Sequence, residues 1–205
     1  MKSLPELRTK FDKFTEHISR PGVDKLVAWL ETTDFFRAPA STKFHGNYEG
    51  GLVEHVCHVA EYALSIFNWT VKYKPELEYL RESVIITALF HDVCKVNQYS
   101  MDKCWAKDDN NKWVTYMGWK FNDAFPIGHG EKSLYYINKH MELTQAEALA
   151  IRWHMGTSEP GTQIAGLTQY SYQSAFEHPL VKILIAADIA STAIGEIVDH
   201  KSLAI

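Results

Sequence analysis

Residues 85–95 read Ile-Ile-Thr-Ala-Leu-Phe-His-Asp-Val-Cys-Lys, a nearly apolar run that ends in an imidazole, a carboxylate and a lysine. The first six residues predict a buried helix. Burying His91 beside Asp92 at the end of such a helix costs several kcal/mol unless hydrogen bonds or a cation satisfy them. A divalent metal ion does so directly. The stretch therefore predicts a metal centre whose other ligands lie elsewhere in the chain.

A helix predicted over residues 52–70 offers two histidines, and its periodicity selects one of them. Successive residues turn by about 100° around a helix. On that wheel His55 lies at the flank of the apolar stripe, whereas Glu54 and His58 fall on the opposite face and are expected in solvent. His55 is therefore the predicted inward-facing ligand.

Three more ligand-type residues lie farther along the chain. Asp188 interrupts the apolar run of a helix predicted over residues 179–200, and a carboxylate there requires a metal or cation. His129 stands between two glycines at the start of a predicted helix, and His154 lies in the last turn of another. Taken alone, either histidine is more often a hydrogen-bonded core residue than a ligand.

The remaining pattern predicts a mostly α-helical protein with one small inserted element. Aromatic and β-prone runs flank an Asp-Asn turn, which predicts a β-hairpin around residues 103–117. Residues 1–36 read as an N-terminal helical scaffold, and the polar segment 156–177 reads as a surface loop. Tryptophans in the hairpin could stack on a base, although such positions are more often packing. They are Trp105, Trp113 and Trp119.

Composition limits the classes of protein that fit. A length of 205 residues suits a single domain spanning residues 1–205. The formal charge of −4 argues against a broad basic surface for duplex nucleic acid and favours small phosphorylated substrates. Three cysteines without a C-x-x-C pair indicate a reducing, cytoplasmic setting. No signal peptide or membrane segment is expected, because charged residues interrupt the longest apolar run, 180–198.

Two motifs carry a resemblance to a known family. They are Gly50-Gly51-Leu52-Val53-Glu54-His55 and His91-Asp92-Val93-Cys94-Lys95. With Asp188 in order behind them, the chain resembles the HD-domain superfamily of metal-dependent phosphohydrolases over roughly residues 43–197. The motifs are most similar to those of the HD domain of bacterial 3′→5′ exoribonucleases. Cys94 stands where their HDxGK signature has glycine.

The resemblance implies an all-α HD-domain helical bundle as the core, over residues 43–197, and a set of metal ligands. A first divalent ion would be held by His55, His91, Asp92 and Asp188. In the dinuclear branch of the superfamily a second ion is held by residues matching His129 and His154, with Asp92 bridging both. Spacing alone leaves open whether His91 and Asp92 reach one ion or two positions. Imidazole and carboxylate ligands suit Mn, Fe, Co, Ni, Zn or Mg.

The expected chemistry is hydrolysis at phosphorus, because a divalent metal lowers the pKa of a bound water and steadies charge on the transferring group. Asp92 and Lys95 are the candidate catalytic residues. Lys95 is a natural partner for a phosphate oxygen, or it simply caps a helix end. Candidate substrate-binding residues, each also readable as ordinary solvated surface, are His45, Lys95, Lys132 and Arg152.

The leading hypothesis is a metal-dependent phosphohydrolase acting on a nucleotide or a short oligonucleotide. The Gly-Gly-Leu lead-in favours a 3′→5′ exonuclease or phosphodiesterase on single-stranded nucleic acid. The lack of an accessory nucleic-acid-binding domain favours a small nucleotide, which is the preferred interpretation. Two other hypotheses are an HD-fold diiron oxygenase with a similar ligand order and a metal-containing binding module without turnover.

Overall fold

The computed structural model describes residues 2–156 and 167–195, and this part of the chain is mostly helical with one two-stranded hairpin. Short 3-10 turns at Pro75–Leu80 and Val93–Lys95 flank the fourth helix, and a π-helical turn, Ser191–Gly195, follows the last one. Within the described residues no helix is both long and apolar enough to cross a bilayer. The regular elements are α1 (Leu4–Thr15), α2 (Val23–Glu31), α3 (Gly51–Tyr73), α4 (Arg81–Phe90), β1 (Tyr99–Lys107), β2 (Trp113–Phe121), α5 (His129–Ile137), α6 (Gln145–Trp153), α7 (Leu167–Phe176) and α8 (Pro179–Ala190).

The core is organised around α3 and α4. The 23-residue α3 buries Val53, Val56, Ala60 and Phe67, whose spacing of three to seven residues keeps them on one face. Residues 83–90 of α4 are buried on every side of the helix. Because α4 is enclosed by its neighbours, the residues that follow its end emerge in the middle of the molecule.

The N-terminal helices cover one side of this core. A capping box between Ser3 and Glu6 fixes the start of α1. From there Leu7 and Phe11 reach the interior, and the Phe11 ring packs edge-on against Phe90 of α4 at 6.1 Å between centroids. These contacts join α1 to the core, and the scaffold role of residues 1–36 stays a prediction.

The hairpin prediction is confirmed, and the strands are longer than expected. Pairing runs from Tyr99 opposite Phe121 to Lys107 opposite Trp113. At the turn, the Asp108 side chain accepts hydrogen bonds from two backbone amides, and Asn111 adopts a left-handed conformation with φ of 61°. The pattern around residues 103–117 identified the turn but missed the strand ends, where alternation is weak.

The polar segment was predicted wrongly over its second part. Residues 167–176 form α7, while residues 157–166 lie outside the described structure. Ala175 is buried, and the ring of Tyr172 packs 5.8 Å from that of Trp153 on α6. These tertiary contacts stabilise a helix whose own sequence is largely polar. The predicted continuation of α8 to residue 200 is described only as far as Gly195.

Candidate metal centre

Six predicted ligands converge on one point in the core, and Asp92 lies at its centre. They come from α3, the end of α4, the start of α5, the end of α6 and the last turn of α8. Distances from the imidazole Nε2 atoms to the nearer Asp92 oxygen are 3.5 Å for His55, 3.5 Å for His91, 2.7 Å for His129 and 3.6 Å for His154. Asp188 Oδ1 lies 3.3 Å from His55 Nε2.

The two oxygens of Asp92 divide the site into two sides. We call His55 and His91, which approach Oδ2, the Oδ2 side. We call His129 and His154, which approach Oδ1, the Oδ1 side. On each side the ligand atoms, including one from Asp92, lie within 4.8 Å of one another. Each group can hold a metal ion, so two ions sharing Asp92 fit the arrangement.

The end of α4 lets two consecutive residues reach the same place. Neighbouring side chains on a helix diverge by about 100°. The helix ends at Phe90, and Asp92 adopts φ of −105° and ψ of 13° before the 3-10 turn begins. Leaving the helical conformation there turns the Asp92 carboxylate back toward the imidazole of His91.

Two of the imidazoles are fixed by backbone carbonyls and present an unused nitrogen to the site. His91 Nδ1 donates to the carbonyl of Ala88 at 2.9 Å, and His154 Nδ1 donates to that of Ile151 at 2.7 Å. These bonds leave Nε2 as the lone-pair nitrogen. Both Nε2 atoms are buried and have no hydrogen-bond partner among the described residues. A buried acceptor of this kind requires a ligand, and a divalent metal fits it.

The charge states also suit metal ligation. Burial acts to raise the pKa of Asp92, but Lys95 and the imidazoles hold it well below its usual range. Burial also acts to raise the pKa of Asp188, but the hydrogen bond with His55 outweighs that effect. The pKa of the Asp188 carboxyl is therefore lowered. Burial lowers the pKa of His91 to about 3. The site thus offers ionised carboxylates and a neutral imidazole, the forms that bind metals.

The imidazole of His129 is supported differently. Its Nδ1 lies 3.3 Å from the Cys94 thiol, and no backbone carbonyl takes that position among the hydrogen bonds of the described chain. Ser133, one turn along α5, donates to the His91 carbonyl and accepts from the Cys94 amide at 3.2 Å. At Gly130 a Cβ would meet the Arg152 carbonyl oxygen at 2.4 Å, so α5 and α6 approach as closely as a glycine allows.

The candidate substrate residues fall into two pairs. Lys95 lies beside the site, with Nζ 2.7 Å from Asp92 Oδ2, and the His45 ring lies 5.0 Å from that of His55. Lys132 is instead buried against Asp123. Their roles in substrate binding stay predictions.

Arg152, like Lys132, forms an ion pair with an acidic side chain. Its guanidinium lies 2.6 Å from Glu131 and stacks over the Trp153 ring at 4.0 Å. Lys132 and Arg152 are thus each paired with an acidic side chain, Asp123 before α5 and Glu131 on α5.

Sequence reasoning missed two features around the ligands. Glu54 was expected in solvent but is buried, because Tyr48 folds over α3 and donates its hydroxyl hydrogen bond to this carboxylate. The contact between Cys94 and His129 was also missed. No local pattern reports either contact, because both join residues from separate elements.

Comparison with known proteins identifies a similar curated protein. A dihydroneopterin 2′,3′-cyclic phosphate phosphodiesterase of Methanocaldococcus jannaschii is 33% identical to this chain over 96 residues. The aligned segment covers 46% of this chain and 36% of that protein, so the chain spans about a third of its relative. No protein-family model matches the chain. No solved structure matches it either.

Proposed function

We propose that the chain is a metal-dependent phosphohydrolase of the HD type that cleaves a phosphoester bond in a nucleotide or a short oligonucleotide. The observation that carries the proposal is the pair of buried, unpartnered Nε2 atoms of His91 and His154 facing the ionised Asp92 carboxylate. The curated relative is named as a phosphodiesterase acting on a cyclic phosphate, which supports phosphoester chemistry. The two motifs described above support the HD assignment.

The residues divide into two ligand sets. His55, His91, Asp92 and Asp188 would hold a first ion, supported by the 3.3 Å approach of Asp188 to His55. The Oδ1 side and Asp92 would hold a second. Nitrogen and oxygen donors of this kind suit Mn, Fe, Co, Ni, Zn or Mg and do not select one of them.

Divalent ions bound there would lower the pKa of a water and neutralise charge on the phosphoryl group. The chain's own residues supply orientation. The carbonyls of Ala88 and Ile151 hold two imidazole rings in place, and Ser133 ties α5 to the backbone of His91. Such fixed donors reduce the reorganisation needed during reaction.

Lys95 is the cationic side chain beside Asp92 that can contact a substrate oxygen. Its side chain is 14% exposed, so a substrate can reach it, and it already lies against Asp92. Burial would lower its pKa, but Asp92 overcomes that effect and the pKa is raised. The ammonium therefore stays charged at neutral pH, and we assign it to a phosphate oxygen.

The test is a substrate screen on protein stripped of metal and reconstituted with Mn²⁺. The panel contains 2′,3′- and 3′,5′-cyclic nucleotides, nucleoside mono- and triphosphates and short RNA, with products separated by chromatography. We expect metal-dependent hydrolysis of at least one class, lost in Asp92→Ala and retained in Asp24→Ala, a control at an exposed carboxylate on α2. Metal-loaded protein that hydrolyses none of them contradicts the proposal. Oxygen uptake by the Fe²⁺ form would instead indicate the oxygenase.

A further inference from the structure

The hairpin presents two unlike faces. Directly paired residues of an antiparallel pair point to the same side, and successive residues alternate. The register therefore puts all odd-numbered positions of β1 and β2 on one side, which we call the aromatic face. The even-numbered positions form the opposite face.

Large apolar side chains on the aromatic face are open to solvent. Trp105 and Trp113 are each 66% exposed and Phe121 is 55% exposed. The sequence interpretation that hairpin tryptophans serve packing is wrong for the first two. A two-stranded ribbon has no second layer under which to bury such residues. Large apolar side chains exposed together on one face are a feature of interaction sites.

The charge on this face is positive and uncompensated. Lys103 and Lys107 lie on it, and none of its positions is Asp or Glu. The Lys107 ammonium lies 5.6 Å from the centre of the Trp113 ring. On the opposite face the single lysine, Lys120, is neutralised by Asp102 at 2.7 Å. The chain as a whole carries −4, so the positive charge is a local property of the aromatic face.

The end of the aromatic face away from the turn lies beside segments that border the metal centre. Near this end, Trp119 Nε1 donates a hydrogen bond to the Asn47 carbonyl at 3.1 Å. Asn47 lies in the loop that also carries His45. Tyr99 follows Lys95 by four residues and is half-buried. The strands extend about 30 Å from this point. A ligand that lies along the face thus has one end at the candidate site.

We propose that the aromatic face binds single-stranded nucleic acid, with bases stacked on Trp105 and Trp113 and phosphates beside Lys103 and Lys107. Alternating aromatic and cationic side chains suit such strands, because every unpaired base has a face for stacking and every linkage carries a negative charge. The inference rests on the proposed function and deepens it, since it makes an oligonucleotide the substrate that reaches the metal centre.

A lipid surface is the main alternative ligand for the aromatic face, and the charge at the hairpin tip disfavours it. Asp108 and Asp109 lie at the turn, where a hairpin entering a membrane would meet the headgroups first. Anionic lipids repel these carboxylates. A strand lying along the face ends at the Lys107–Trp113 pair and does not have to pass over the turn.

The experiment is fluorescence anisotropy of a fluorescein-labelled single strand of about 12 nucleotides, as RNA and as DNA, in EDTA. EDTA removes turnover, so binding is measured apart from hydrolysis. We expect Trp105→Ala to weaken binding about 5-fold or more, the factor that corresponds to one lost stack. Tyr116→Ala, on the opposite face, is the matched control and leaves binding unchanged. Circular dichroism verifies that each variant is folded.

A second variant covers the case in which Trp105→Ala unfolds the hairpin. Lys103→Gln combined with Lys107→Gln is expected to reduce the salt dependence, lowering the slope of log K against log salt by about 1.4 for two phosphate contacts. Lys120→Gln, on the opposite face, leaves the slope as it is.

Several results overturn the inference. They are absence of oligonucleotide binding, equal loss in the Tyr116→Ala control, and an unchanged salt slope in the lysine variant. Trp105-dependent binding to phosphatidylserine vesicles without oligonucleotide binding would assign the face to a membrane. A Trp105-dependent dimer without oligonucleotide binding would assign it to a second copy. Hydrolysis of mononucleotides without oligonucleotide binding contradicts this inference and leaves the proposed function in place. Oligonucleotide binding without hydrolysis of any substrate contradicts the proposed function and leaves the binding face in place.

Discussion

The Oδ2 and Oδ1 sides of the site share one carboxylate but differ in how they are enclosed. On the Oδ2 side the His91 side chain is 0% exposed and is fixed by a carbonyl. On the Oδ1 side His129 is 28% exposed and has a thiol as its Nδ1 neighbour. The difference lies at His129 alone, because His154 on the same side is 1% exposed and is held by the Ile151 carbonyl. We expect tighter metal binding on the Oδ2 side.

The largest effect is expected from removing the carboxylate that both sides share. Asp92→Asn keeps the shape of the side chain but removes the charge, so both ions should be lost. Changing groups that merely support metal ligands costs about 10- to 100-fold in affinity. We expect at least the upper value here, measured as metal per chain by mass spectrometry after dialysis. Retention of both ions at wild-type affinity would show that Asp92 is not shared.

Separate variants on the two sides test whether they differ. His55→Ala should remove the ion of the Oδ2 side and leave at most one weakly held ion. His129→Ala should leave the Oδ2 ion in place, because none of its other ligands changes. Calorimetric titration with Mn²⁺ measures the two affinities. If the two variants lose metal equally, the proposed asymmetry is wrong.

A smaller effect is expected at the thiol beside His129. Cys94→Ala removes the neighbour of Nδ1 and should weaken the Oδ1-side ion about 10-fold, while Cys94→Ser restores part of that loss. Cys57→Ala is the matched control, because this thiol is equally buried but lies in the core stripe of α3. An Oδ1-side affinity that is unchanged in Cys94→Ala, or lowered as much in the control, contradicts a positioning role.

The pH response should also distinguish His91 from His154, with the smallest effect. Burial lowers the pKa of His91 to about 3, whereas at His154 the nearby Asp92 and Asp188 overcome burial and raise it. Below about pH 6.5 the unfolded chain protonates both imidazoles. His91 therefore makes the metal-free fold lose stability as pH falls from about 6.5 toward 3.

The effect of His154 on stability changes with pH in the opposite direction. Its stabilising effect is full below the unfolded pKa and is lost as pH rises through the raised folded pKa. Nuclear magnetic resonance of the ring protons in metal-free protein measures both pKa values. We expect His154 to titrate first as the solution is acidified. Coincident titration near pH 6.5 would remove this distinction between the two histidines.

Much of the fold could be predicted because its signals are local. The apolar run of α4 and the Asp-Asn turn of the hairpin each report a structure through neighbouring residues. α7 could not be predicted, since its polar sequence becomes helical through packing of Tyr172 and Ala175 on α6 and the core. Tertiary contacts of this kind leave no periodic pattern.

The candidate site, too, could be predicted only in part. Helical periodicity identified His55 as inward-facing, and the motif resemblance supplied the rest of the ligand set. Neither could reveal that Glu54 is covered by Tyr48, or that the Cys94 thiol supports His129. These contacts depend on how a loop and a separate helix close over the ligands, which spacing along the chain does not encode.

The most direct test of the central claim is anomalous X-ray diffraction from crystals soaked in Mn²⁺, recorded at the manganese absorption edge. We expect one strong peak at about 2.0–2.3 Å from the Nε2 atoms of His55 and His91 and from Asp92, and a weaker peak on the Oδ1 side. A chain whose only peaks lie away from these side chains, or that shows none, contradicts the central claim.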